Sequence, residues 1–451
     1  MKATLFLTGH VIKSGLELVE TRYDVDVNMA RLQRYSPTYY IDLVNTVNGR
    51  LYTRTPSIFL QDDWTLNRRI LIKAGLRWDP QWLLRSNRAI QQRITAPVSP
   101  RLGFVYQPGK LGDQKVFGHF GRYVQELSTM HGYYCFLPQK RDVVLYDHDP
   151  RVDPSGGTAL ILWSGGMPET PDLFGQHHDE IVLGYARRLG DYYTLRVQGI
   201  YRTLRQAIED GVADSDGDGV HNPAVDTWYL GNPGRGPFEA YPRAKREYQG
   251  LEIGISSQGS GPFRFDASYV LSRTYGNYTG LFDKGSIPNI TEQFDLPELT
   301  VNTEGFLPND RRHALKFTGS YQISEELLMG ALVVWHSGVP LSEMYFHHGY
   351  HYFLNQRGTA GRTPSQFDLN LRVTYRLKTL IPGASSRVFF DGFHLLGANT
   401  PLGKNQIHYL GLDSEGNPIS PNSHYGSTIR YSPPLALRMG IQVDFGVSDM
   451  R

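Results

Sequence analysis

One cysteine, Cys135, stands among 451 residues, so no disulfide forms within the chain and nothing staples the fold covalently. The formal net charge is +2, too weak a field to call for nucleic acid or an acidic partner. Apolar runs are short: ALVVW at 331–335 is typical. A membrane-crossing helix needs roughly 20 apolar residues, which excludes a helical membrane protein. The mean hydropathy of −0.38 does not exclude a membrane barrel, whose alternating strands average to neutral. At the N-terminus, Ala3 to Leu7 falls short of the roughly 7–15 apolar residues of a secretory signal. An export signal is therefore expected outside this chain. The motifs GxSxG, HExxH, CxxC, GxGxxG and the P-loop do not occur, and no enzyme chemistry is expected.

What is plentiful suits strands, aromatic girdles and turns: 28 Tyr, 21 Phe and 47 Gly. Residues Arg246 to Arg273 set the pattern. Leu251, Ile253 and Ile255 alternate with Gly250, Glu252 and Gly254; after a QGSGP reversal, Phe263, Phe265, Ala267, Tyr269 and Leu271 alternate with Arg264, Asp266, Ser268 and Ser272. Period-two alternation gives an extended strand with one apolar and one polar face, here folded into a hairpin. Two environments fit: a sheet wetted on one side, or a barrel with lipid outside and water inside.

The alternation recurs in Val11–Val19, 57–66, 70–78, 101–106, 116–123, 180–188, 193–202, 315–321, 367–376, 386–396 and 435–445. In LLMGALVVWHSG both parities are apolar and the faces stay unassigned. Short connections (66–69, 107–115, 189–191, 257–262, 322–326, 378–385) alternate with long ones (25–54, 79–98, 124–178, 205–244, 274–309, 338–362, 397–433). Short turns at one end and long loops at the other are the habit of an outer-membrane barrel. The expected fold is all-β: an antiparallel up-and-down transmembrane β-barrel of about fourteen strands, with short periplasmic turns and long extracellular loops. A soluble, secreted all-β binding protein is the alternative.

SIFLQDDWTLNRRILIKAGLRWD, then SPRLGFVY with VFGHFGRY, resemble successive hairpins of TonB-dependent outer-membrane receptors. LPNDRRHALKFTGSYQI, with its Asn309 to His313 run, HSGVPL and GRTPSQFDLNLRVTYRL are similar to the Oar-like, carboxypeptidase-regulatory-domain group. The resemblance implies a Gram-negative outer-membrane location and uptake of a small-molecule, peptide or glycan ligand. It implies energy delivered by the TonB complex through a plug domain. No plug or TonB box is recognisable in 1–451, so the chain reads as part of a barrel of about 22 strands. A self-contained passive pore is the other reading. In the family the last strand tends to end on an aromatic; here Phe445 is followed by GVSDMR.

Among candidate sites, Asp214-Ser215-Asp216-Gly217-Asp218-Gly219 matches the first half of a calcium loop, because alternate carboxylates wrap a hard cation and Gly makes the turn. Val220 and Asn222 are candidate further ligands; Val225 stands where the bidentate Glu belongs, with Asp226 next. The competing reading is a solvated acidic loop. His347, His348 and His351 cluster in sequence without an acidic or thiol partner nearby, which favours an ordinary polar loop over a metal site. Adjacent Asp62 and Asp63 point to opposite faces of a strand, which argues against a catalytic pair. Trp64, Trp78, Tyr123 and Trp335 are expected at the lipid–water boundary. Arg196, Arg202, Glu252, Arg264, Asp266, Lys316, Asp368 and Arg372 are expected to line a wet lumen.

Overall fold

The computed structural model describes residues 1–451 apart from 35–39, 130, 138–139, 164–165, 224, 258–260, 281–291, 348–349, 378–383, 398 and 446–451. The GVSDMR segment after Phe445 thus lies outside the described residues.

Fifteen strands follow one another around one sheet. They are β1 (Lys2–Leu7), β2 (His10–Arg34), β3 (Tyr40–Asn67), β4 (Ile70–Trp78) and β5 (Ser99–Tyr106). Next come β6 (Gln114–Val124), β7 (His177–Leu189), β8 (Tyr193–Gln206), β9 (Arg246–Ser257) and β10 (Phe263–Gly276). The run ends with β11 (His313–Gln322), β12 (Leu327–His336), β13 (Gln366–Arg376), β14 (Ala384–Phe393) and β15 (Ala436–Phe445). Each pairs antiparallel with the next in sequence. Short and long connections alternate as the sequence implies, so every long loop leaves from the same end. Among the described residues, the outer edges of β1 and β15 have no ladder partner.

The register carries the apolar residues into continuous rows. Ile255 stands opposite Leu195 and Ala267, Ala267 opposite Phe317, Phe317 opposite Val333, and Val333 opposite Leu369. Elsewhere in the belt, Leu251 pairs Leu271, and Val388 pairs Ile441. No second layer covers this face: Leu60, Leu76, Leu102, Leu183, Ile253 and Ile441 are exposed. Large apolar side chains facing outward in rows make sense only against hydrocarbon. Trp64 and Trp78 bracket the belt on neighbouring strands. Trp64 faces Ile72, and Trp78 lies six residues beyond it, roughly 20 Å at about 3.3 Å per residue. That is close to the roughly 25 Å height of a barrel's apolar band.

The ladder also resolves the strand whose faces the sequence leaves open. Leu327, Met329, Ala331, Val333 and Trp335 of β12 share the belt face, paired with Tyr375, Val373, Leu371, Leu369 and Phe367. Leu332 and Val334 therefore stand among polar neighbours: Thr318 and Asn370, Lys316 and Asp368.

Two expectations are corrected, and one strand is added. Segment 25–54 is a ribbon, not a loop: β2 and β3 stay paired from His10↔Trp64 out to Arg34↔Tyr40. At 25 residues β2 extends roughly 80 Å, far beyond the bilayer. Its outer part pairs along one edge with Trp82–Leu84 and Lys140–Tyr146, and Val25, Val47 and Leu51 are buried in a cluster with Leu83, Ile94, Leu127 and Phe136. The alternation of Val25, Val27 and Met29 continues the strand past bilayer length. Residues Lys2–Leu7 form a strand, turned into β2 at Gly9, whose φ of +78° a side chain rarely adopts. Tyr123 faces the polar side, stacked on His178 with centroids 5.4 Å apart, not the lipid boundary.

Candidate functional site

The polar face of the wall holds the expected charges as a paired lining. Glu180 accepts from Arg202 Nε at 2.8 Å and lies 3.1 Å from His119 Nε2; Arg196 reaches Glu252 at 3.3 Å. Asp391 is clamped between Arg372 (2.6 Å) and Arg438 (2.6 Å). Arg264 and Asp266 remain exposed on this face and Lys316 faces Val334. Asp62 and Asp63 part as expected. Asp62 bonds His10 at 2.7 Å on the belt side; Asp63 lies 3.7 Å from Lys73 on the other.

Above the wall the long loops fold into a cap with a core of its own. Leu83, Ile94, Leu127, Cys135, Phe136, Leu173, Ile208 and Leu230 come from three separate connections and pack together with Val47 and Leu51. A second cluster joins Phe238, Tyr241, Tyr278 and Phe294, and a third Val212, Leu296 and Leu299. A two-stranded ribbon, Glu209–Ala213 with Thr227–Gly231, runs through these clusters. Its base buries acid. Glu209 is 0% exposed and both its carboxylate oxygens are sealed beside Tyr278; Asp210 Oδ1 is likewise sealed and has no hydrogen-bond partner among the described residues. Loss of hydration disfavours the charged form, so burial and then Asp210 push the Glu209 carboxyl well up. Burial pushes Asp210 up to about 7, and Asp295 rises by burial and by Asp210. Nothing in the sequence marks Glu209 as buried, since its contacts come from distant loops.

At the ribbon's tip, Asp214, Asp216 and Asp218 bring one carboxylate oxygen each within 4.8 Å of the others. The loop is already organised. Asp214 accepts the N–H groups of Gly217 (2.7 Å) and Gly219 (2.9 Å), and Asp218 accepts that of Val220 (2.7 Å). Asp226 closes it by accepting Ser215 N–H (2.7 Å) and Asn222 N–H (2.8 Å). These backbone donors hold the Asp226 carboxyl below its usual range.

Among the described residues His347 and His351 are not grouped as a metal site. His351 Nδ1 bonds Glu292 from another loop, His347 has its own partners, and His348 lies outside the described residues. Glu292 is the acidic partner that sequence proximity did not offer. The Asn309 to His313 run is a rim clamp. Asp310, fully buried, accepts Thr274 N–H at 2.6 Å and pairs with Arg362; Arg311 donates to Ser337 O at 2.9 Å. Further out, Tyr345 stacks on Tyr352 (4.9 Å) and His408 on Tyr425 (4.1 Å), an aromatic surface suited to flat ligand groups.

A family model for the TonB dependent receptor-like β-barrel matches residues 6–393. The chain belongs to this family. It is 30% identical over 395 residues to the TonB-dependent transporter Oar of Myxococcus xanthus, covering 76% of this chain and 36% of that protein. Solved barrels share the fold. The outer-membrane transporter YddB of Escherichia coli matches with a TM-score of 0.55 at 10% identity, over 96% of this chain and 54% of the other. The ferric-catecholate import receptor Fiu of E. coli K12 matches with a TM-score of 0.50 at 11% identity, over 98% and 53%. The chain thus spans about a third of the Oar relative's length and about half of these solved chains. As a member of the TonB-dependent receptor family it is an outer-membrane protein of Gram-negative bacteria, and its belt is the lipid contact.

Proposed function

We propose that this chain is the partial barrel wall and loop cap of a receptor that takes up a ligand across the outer membrane. The observation that carries the reading is the division of the molecule. A charged inner lining lies under a packed, aromatic-studded cap, and an apolar belt surrounds the outside. Ligand would be caught by the cap and pass along the lining. Energy would come from TonB through a plug domain, as the family implies. The bound species is a small molecule, peptide or glycan. The wall's polar face carries paired charges of both signs, which suits a lining along which a polar ligand passes. The test compares spent-medium profiles of the parent strain, a strain lacking this gene and a strain lacking TonB. The same compounds should persist in both mutants. Depletion of every compound in both mutants at the parent's rate sinks the uptake reading.

We also propose that Asp214, Asp216 and Asp218, with Val220 and Asn222, hold Ca²⁺. Hard carboxylate oxygens converging at a turn suit that ion. Calcium there would stiffen the ribbon tip. Isothermal titration of the purified protein should show one site that Asp216→Asn weakens; identical titrations of the two proteins would remove the ion from the account.

A further inference from the structure

At the cap end of β6, β7 and β8, three charged side chains occupy belt-side positions. Arg122 stands opposite Asp179, Asp179 opposite Thr203, and Arg205 follows Thr203 on the same face. One step toward the membrane on that face are Phe120, Ile181 and Tyr201, which belong to the apolar belt. The charges therefore sit where hydrocarbon gives way to headgroups. An Arg on the lipid face is costly at mid-bilayer and cheap at the interface, so this depth tolerates them.

Their charges do not balance. Asp179 accepts from Arg122 Nε at 2.7 Å and Nη2 at 2.9 Å, and from Arg205 Nε at 2.9 Å. One carboxylate, 7% exposed, thus serves two guanidinium groups. Arg235 enters from the 231–235 turn, its guanidinium 5.8 Å from the Phe174 ring. No carboxylate pairs with it among the described residues. Three arginines against one aspartate leave a surplus of two positive charges around a cleft of about 440 Å³. Pro97 and Phe174 supply its apolar side.

We propose that this cleft binds the phosphate of an anionic lipid in the outer leaflet. Guanidinium forks match phosphate oxygens in pairs, and basic pockets beside an apolar wall suit lipid headgroups. The belt below would take the acyl chains, and the surplus charge the phosphate. Asp179 orients Arg122 and Arg205 while leaving each with free N–H groups. The site rests on the wall facing lipid and not on the uptake reading. A receptor that transports nothing would still bind lipid here.

The experiment is native mass spectrometry of the intact polypeptide in detergent. It is titrated with a bis-phosphorylated diglucosamine glycolipid, its dephosphorylated form, or inorganic phosphate alone. The parent protein should bind the phosphorylated lipid at least tenfold more tightly than the dephosphorylated one. Arg205→Gln with Arg235→Gln should remove that preference, and Arg235→Lys should keep part of it. Should the double variant misfold, Arg235→Gln alone breaks no ion pair and should still weaken phospholipid binding severalfold. Equal binding of the two lipids, or a preference that survives the substitutions, overturns the proposal. Inorganic phosphate competing as strongly as the lipid overturns it too, because the site would then serve a free anion. Spent-medium uptake in the same variants is expected to stay at the parent's level.

Discussion

The wall and the cap use similar residues in opposite senses. In the wall, Leu183 is 58% exposed to the outside, while Glu180 of the same strand turns inward and pairs with Arg202. In the cap, Leu173, Ile208 and Phe238 are wholly buried and the charged residues of the ribbon tip face out. The wall is an inverted protein because its outer solvent is hydrocarbon. The cap stands in water and obeys the ordinary rule. One chain therefore follows two partition laws, and the border between them is the rim where Trp78 donates to Ala96 O at 3.1 Å.

That contrast can be broken most forcefully inside the cap. Phe238→Ala should cost the cap about 3–5 kcal/mol, the usual range for a buried aromatic. Limited proteolysis should then cut 125–176 and 207–245 while the wall keeps its heat-modifiable mobility on gels. Simultaneous loss of both would show that cap and wall fold as one unit. Next in size is Leu183→Arg, which should destabilise the inserted wall by about 2–4 kcal/mol in urea titrations in lipid. Val220, at the ribbon tip, is 60% exposed, nearly the same as Leu183. Val220→Arg should change stability by less than about 0.5 kcal/mol, so equal exposure with unequal outcome would establish the two solvents.

Acidity offers a gentler probe. Glu209, Asp210 and Asp295 have carboxyl groups raised in the folded cap. A raised acid binds protons more tightly folded than unfolded, so stability is greatest below the unfolded value near 4 and falls as pH rises toward about 7. Protection of the 209–213 amides, corrected for intrinsic exchange, should be weaker at pH 8 than at pH 5, and Asp210→Asn should flatten that dependence. The wall amides should not follow. The smallest loss expected in the wall is at Gly190, whose φ of +60° closes the short β7–β8 turn. Gly190→Ala should cost about 1 kcal/mol in the same urea titrations and leave the cap untouched.

Why the wall could be read from the sequence, and the cap could not, follows from the same physics. Lipid on one side and water on the other impose period two on every crossing, so Leu251, Ile253 and Ile255 announce their face locally. The cap's contacts obey no period. Asp310 meets Arg362 across 52 positions, and His351 meets Glu292 across 59. Even the Asn309 to His313 run, noticed for its resemblance, revealed its clamp only once those loops were placed. The aspartates of 214–218 were legible because their spacing is local, whereas Glu209 looked like one more polar residue of a loop.

The strands themselves carry one arithmetical consequence. Since each neighbour reverses direction, β1 and β15 point the same way. Zipped directly together they would make a parallel seam in a cylinder otherwise built of reversals. A ring that keeps its alternation must slot an odd number of staves between them, whichever molecule supplies the staves.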